Sequence, residues 1–246
     1  MPLFNIIEHY ENQDHIESWC RRSYFNGKGR LEHRKLLDVC KVIGFLEGVE
    51  SFDTIDSFSE YIQSNLSKNA ITDTELTNQF KGYIFELFCE TFLNYFSTIS
   101  VHVRAKDTVE TYVTKSVCVP PSEYQDYGVD LLCRVSQRDG VSKNGVIQVK
   151  FRTGKDFNLQ SSIIDKLGFQ GVRCGFIEPL TPDNPKDKTL ILFTNLRYDE
   201  YKRTFEGNIG FENLLIIDGH TIDELIATKD FWACLKNKLN KIMCYA

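Results

Sequence analysis

Two strand-like segments joined by a turn constrain this chain more than any other feature. "GVDLLCRV" (128–135) and "GVIQVKFR" (145–152) are rich in β-branched and aliphatic residues, and the intervening "SQRDGVSKNG" holds both an Asp-Gly and an Asn-Gly step, the dipeptides that reverse a strand most readily. A β-hairpin follows. Alternation places Ile147, Val149 and Phe151 on one face and Val146, Gln148, Lys150 and Arg152 on the other. With the turn centred near Gly140, residue 130 falls opposite 150 and 132 opposite 148, so Asp130 faces Lys150 with Gln148 on the diagonal. A slip of one residue would turn these groups to opposite faces.

Around the hairpin, helix and strand patterns alternate. "TELTNQFKGYIFELFCETFLNYFSTI" reads as one long helix, with Phe80, Ile84, Leu87, Phe88, Phe92, Tyr95 and Phe96 at helical spacing. "ISVHVR" (99–104) is strand-like and "LQSSIIDKLGF" (159–169) helical. The apolar runs "VRCGFI" (172–177), "TLILFT" (189–194) and "NLLIID" (213–218) then alternate with helical stretches near 197–206 and 221–239. Such an order predicts an α/β fold, its sheet at least partly parallel and covered on both faces. "PLTPDNPKDK" (179–188) reads as a surface loop. Residues 1–73 read as a polar, helical N-terminal region, with "RLEHRKLLDVCKVIGFLEGV" and "FSEYIQSNLS" at broadly helical spacing; residues 74–246 form the α/β domain.

Composition narrows the function classes. The chain has 246 residues, 42% of them hydrophobic, enough for one large domain or two small ones. Its net charge of −5 provides no global positive field, so a polyanion site must be local or built around a metal ion. The densest basic cluster lies in "RRSYFNGKGRLEHRK" (21–35), where Arg21, Arg22, Lys28, Arg30, Arg34 and Lys35 stand against the single acid Glu32. Two readings fit it: a solvated loop and helix start, or a phosphate-contacting arm with Tyr24 and Phe25 available for stacking. Eight scattered cysteines without a CxxC pair suggest reduced core thiols of a cytoplasmic protein. "MPLFNIIEHYENQDH" has neither a basic leader nor an apolar h-region, and the longest apolar stretch contains Glu86 and Glu90, so neither a signal peptide nor a membrane span is expected. The five histidines show no metal-binding spacing, and no Walker A or dinucleotide motif is present.

The polar trio in the hairpin has two readings. Asp130, the Gln148 amide oxygen, the Val149 carbonyl and a further carboxylate suit a hard divalent cation, with Lys150 orienting a nucleophile or steadying a phosphate; phosphodiester hydrolysis is the chemistry such a set performs best. The alternative is a solvated Asp–Lys cross-strand pair worth under ~1 kcal/mol. Glu86 is the natural extra carboxylate: it lies opposite the main apolar stripe of its helix, one turn after Gly82, which permits close approach. A solvated stripe of Glu86 and Glu90 is its alternative.

Four pieces in order resemble the PD-(D/E)xK restriction-endonuclease-like nucleases, in particular the Mrr-like branch with its Q-x-K. "KGYIFE" (81–86) resembles the G-x-x-F-E helix, "YGVDLL" (127–132) the G-x-D strand, "IQVKFR" (147–152) the Q-x-K strand, and "LLIIDGHTIDELI" (214–226) the "LIDG…L" close of Mrr-like domains. The resemblance covers about 74–226 and implies a restriction-endonuclease-like core, a central mixed sheet flanked by helices. It implies Glu86, Asp130 and Gln148, with the Val149 carbonyl, as ligands of Mg²⁺ or Mn²⁺, Lys150 as catalytic lysine, and Arg152 beside the basic arm as a DNA contact. Gln148 departs from the commoner acidic residue, which makes metal binding weaker and Glu86 more necessary. DNA is the implied substrate and a fused or associated helicase an implied partner; a homodimer fits the need for two centres on two strands. Two rivals remain: an inactive binding module on the same fold, and an RNA endonuclease of the cap-cleaving type.

Overall fold

A computed structural model describes residues 39–41, 43–69, 71, 74–103, 107–118, 129–136, 142–153, 162–173, 177, 190–205 and 214–244. Its elements are α1 (Ile55–Lys68), α2 (Thr74–Tyr95), β1 (Thr98–Val103), β2 (Thr108–Cys118), β3 (Leu131–Ser136), β4 (Ser142–Lys150), α3 (Ser162–Arg173), β5 (Leu190–Thr194), α4 (Tyr198–Phe205), β6 (Leu214–Ile217), α5 (Gly219–Ile226) and α6 (Lys229–Cys244). The six strands form one mixed sheet in sequential order. The first four are antiparallel neighbours, whereas β4, β5 and β6 run parallel. The sheet curls until Cα atoms of its edge strands β1 and β6 come within 8 Å. No described helix is long and apolar enough to cross a membrane.

Two apolar layers follow from strand alternation. On one face Ile99, Tyr112, Leu131, Cys133, Ile147, Val149, Ile191, Phe193 and Leu215 pack against α1, α2, α5 and α6. On the other, Leu132, Val146, Leu190, Leu192 and Leu214 meet Leu167 of α3 and Tyr201 of α4. The first layer is dominated by aromatic rings centred on Phe88, which contacts Phe58, Phe85, Phe92, Phe193, Phe231 and Trp232. Phe58, Ile62 and Leu66 of α1 belong to this cluster, so apolar packing is continuous across residue 73. The ends of α1 and α5 are tied by charge: the Ile55 N–H donates to Asp223 Oδ1 (2.6 Å), and Arg197 reaches both Asp56 and Asp223 at 2.7 Å.

Several elements depart from the sequence reading. β2 was not expected: its Thr, Glu, Lys and Ser positions dilute the apolar alternation, leaving only its density of β-branched residues as a signal. Asp107, in the left-handed region at φ 50°, lies between β1 and β2. Val172 and Arg173, expected in a strand, form the end of α3 instead. Gly171 is a packing contact, since a Cβ there would lie 3.1 Å from Val146 and 3.0 Å from Ile177. The helical stretch at 221–239 is two helices, α5 and α6.

The "IIDG" segment has a structural explanation. Asp218 caps α5, accepting from the Thr221 N–H and hydroxyl at 3.1 and 3.2 Å, and its second oxygen accepts from the Tyr201 hydroxyl at 2.9 Å. Gly219 lies so close to the end of β5 that a Cβ would fall 2.5 Å from the Asn195 carbonyl oxygen. Gly219→Ala should therefore cost about 1–3 kcal/mol through forced backbone displacement, read as a lowered urea midpoint; an unchanged midpoint would show that the β5–α5 contact yields freely.

Candidate active site

The hairpin forms with a register two residues from the expected one. Leu131 pairs with Ile147 and Leu132 with Val146, which sets Asp130 opposite Gln148 and leaves Lys150 on the diagonal. A shift of two preserves the faces, so Gln148 and Lys150 remain on one side. Asp130 sits just before β3, and its N–H donates to the Ile147 carbonyl at 2.9 Å. Its carboxylate Oδ2 accepts from the Gln148 side-chain amide and, at 2.7 Å, from the Val149 N–H. Gln148 is only 7% exposed. The cross-strand neighbour of Asp130 is thus a buried amide, in place of the expected Lys150. No carboxylate among the described residues pairs with the Lys150 ammonium.

Helix α2 explains where a second carboxylate can enter. From Phe80 to Leu93 every side chain is buried except at Gly82 and Glu86, one turn apart. A Cβ built on Gly82 meets nothing within 4 Å. The helix is therefore sheathed on all sides but one, and Glu86 stands in the gap. Glu90 behaves differently: it is 7% exposed and paired with Lys238 of α6 at 2.7 Å, so the two acids are not a common solvated stripe.

Glu86 approaches from the helix on one face of the sheet, while Gln148 and Lys150 belong to the other by alternation with Val146. Asp130 precedes β3, opposite Gln148. The Cys89 side chain lies in the core between α2 and the sheet. Its buried thiol is held well above the usual range by burial first, then by the charge of Asp130, the Cys133 thiol, Glu90 and Glu86. Both Asp130 and Glu86 are thus within electrostatic reach of one sulfur.

Beyond Lys150 the strand end is clamped. The Asn195 side chain accepts from the Arg152 N–H at 2.8 Å and donates to the Arg152 carbonyl at 2.7 Å, extending the pairing of β4 with β5 past Lys150 and Thr194. The Arg152 guanidinium is half-buried and donates to the Phe151 carbonyl at 3.1 Å, and burial lowers its pKa. Lys81, which the sequence reading left without a role, is 8% exposed and donates to Thr153 Oγ1 at 3.3 Å; burial lowers its pKa too. Asn195 and Lys81 carry no recognisable spacing signal, because each acts through tertiary contact. Arg21, Arg22, Lys28, Arg30, Arg34 and Lys35 lie outside the described residues.

The donor set suits a hard cation in kind: a carboxylate, an amide that offers oxygen after a half-turn, and Glu86 in the gap. Val149 directs its N–H toward Asp130, and in a strand the carbonyl of the same residue projects to the same edge. Among the described residues no group of three or more His, Cys, Asp and Glu side chains is placed to hold a metal ion, so Gln148 or a backbone carbonyl has to complete any such site. Comparison with protein-family models, with curated proteins and with solved structures returns no match.

The enclosure of α2 against the hairpin is open to a direct check. Cys234 is exposed whereas Cys89 and Cys133 are buried. Peptide-resolved alkylation with iodoacetamide at neutral pH should modify Cys234 promptly and leave Cys89 and Cys133 unmodified until the fold opens. Equal rates at Cys89 and Cys234 would mean that the helix and hairpin separate readily.

Proposed function

We propose that this chain is a metal-dependent endonuclease that hydrolyses DNA phosphodiester bonds, built on a restriction-endonuclease-like core formed by α2, the β2–β3–β4 meander and the parallel strands β5 and β6. The observation that carries the reading is the contact of the Asp130 carboxylate with Gln148 and the Val149 N–H, with Lys150 next on the same face of β4. The ordered resemblance of 81–86, 127–132, 147–152 and 214–226 to Mrr-like nucleases supports it.

In this reading Asp130, Glu86, the Gln148 amide oxygen and the Val149 carbonyl hold Mg²⁺ or Mn²⁺. The bound cation supplies a water of lowered pKa and offsets charge on the phosphorane. Asp130 also fixes the site, because its hydrogen bonds join the start of β3 to the end of β4. Lys150 presents its ammonium beside Gln148, where it can donate to a phosphate oxygen or orient the attacking water. The Asn195 clamp on Arg152 holds that strand end in line. The sugar–phosphate chain is proposed to pass over Glu86 at Gly82, where an added Cβ would meet nothing within 4 Å.

A second reading rests on the same hydrogen bonds. Both the Gln148 amide and the Val149 N–H are donors to one carboxylate oxygen, an arrangement that also serves a binding module in which Asp130 only splices the strands. Cutting assays separate the two. Supercoiled plasmid, linear duplex, single-stranded DNA and RNA are incubated with Mg²⁺, Mn²⁺ or chelator. Duplex DNA should be cut only with metal, and Lys150→Ala should lose about 10²-fold or more in rate. Binding without cutting supports the module, and preferential RNA cleavage supports an RNA enzyme.

Gly82→Ala gives an independent check. Among the described residues nothing lies within 4 Å of the added methyl group, so it should stabilise the helix by about 0.5–1 kcal/mol while lowering cleavage, because it narrows the gap beside Glu86. Stability and cleavage rising together would show that substrate does not pass there.

A further inference from the structure

We infer that Lys81 is a substrate-binding residue, contacting a backbone phosphate of duplex DNA next to the one that is cut. This rests on the nuclease reading of the site. Lys81 lies in α2 immediately before Gly82, with 8% of its surface exposed. Among the described residues its ammonium has one hydrogen-bond partner, the hydroxyl of exposed Thr153 at 3.3 Å, and no carboxylate pairs with it. A fold gains little from such an arrangement. A long, 3.3 Å bond to one neutral, solvated hydroxyl does not offset the partial desolvation of an ammonium, which in a structural role is matched by a carboxylate. Glu90 and Lys238 show that pattern in this same helix, at 2.7 Å.

Position gives the unmatched charge a use. Thr153 follows Lys150 by three residues, a span of at most about 11 Å of chain, so the Lys81 ammonium stands beside the end of β4 that carries the proposed catalytic lysine. On α2, Lys81 precedes Glu86 by five residues, about 7.5 Å along the helix axis and about 140° around it, so the two project to different sides of the helix. Lys81 therefore meets the phosphate next to the cut one from the β4 end, beside exposed Thr153, and not over the gap at Gly82. In a chain of net charge −5, such a local cation offsets repulsion from the backbone.

The test measures binding and stability rather than cutting. Duplex affinity is followed by fluorescence anisotropy in chelator over a range of salt, for the wild type, Lys81→Met and Lys81→Arg. Lys81→Met should keep or raise Tm, because the stem stays packed and an unmatched charge is removed. It should weaken binding and reduce the steepness of log K against log salt by about 0.9, the loss of one phosphate contact. Lys81→Arg should retain the wild-type slope. An unchanged slope in Lys81→Met, or its failure to fold as stably as the wild type, overturns the inference. If that result comes with wild-type cutting that depends on Lys150, only the Lys81 assignment falls; a wild type that neither binds nor cuts duplex DNA removes the nuclease reading, and this inference with it.

Discussion

The enclosure of helix α2 sets the terms for everything else in this molecule. A helix apolar on nearly every side cannot lie on a surface; it needs a sheath. The curled sheet supplies one wall, and α1 and α6 supply others through Phe58, Phe231 and Trp232. Polar groups on such a helix must then be matched or placed at an opening. Glu90 is matched by Lys238. Glu86 and Gly82 lie on the less buried side, and Lys81 lies about 140° around the helix from Glu86, against Thr153.

The same economy governs the hairpin. A buried amide such as Gln148 needs a partner, and Asp130 provides it while accepting the Val149 N–H. One carboxylate thereby joins two strands and brings a negative charge to the start of β3. The Asn195 clamp and the Asp218 cap with Gly219 fix the adjoining ends of β5 and β6. Site and scaffold use the same hydrogen bonds here, so stability and activity are expected to be coupled at Asp130 and Asn195.

Much of this was legible in the amino-acid sequence, and the reasons for the gaps are physical. Period-two and period-3.6 patterns reveal the hairpin and α2, and continuous apolar runs reveal the parallel strands, which pack on both faces. Parity alone is enough to put Gln148 and Lys150 together, and it survives a register error of two. The register itself depends on turn geometry, which dipeptide preferences do not resolve. β2 was hidden by its polar residues, and the end of α3 by the apolar run 172–177, which reads as a strand. The Lys81–Thr153 and Asn195–Arg152 contacts join residues 72 and 43 positions apart, beyond any local pattern.

The central claim is that Glu86, Asp130 and Gln148 face one point where a divalent cation binds. Anomalous diffraction from crystals soaked in Mn²⁺ tests it most directly. The account predicts a peak bonded to the Asp130 carboxylate, with the Gln148 amide turned to present its oxygen and Glu86 directed at the ion. Crystals with Mn²⁺ elsewhere, or with none while Gln148 still donates to Asp130, would contradict it.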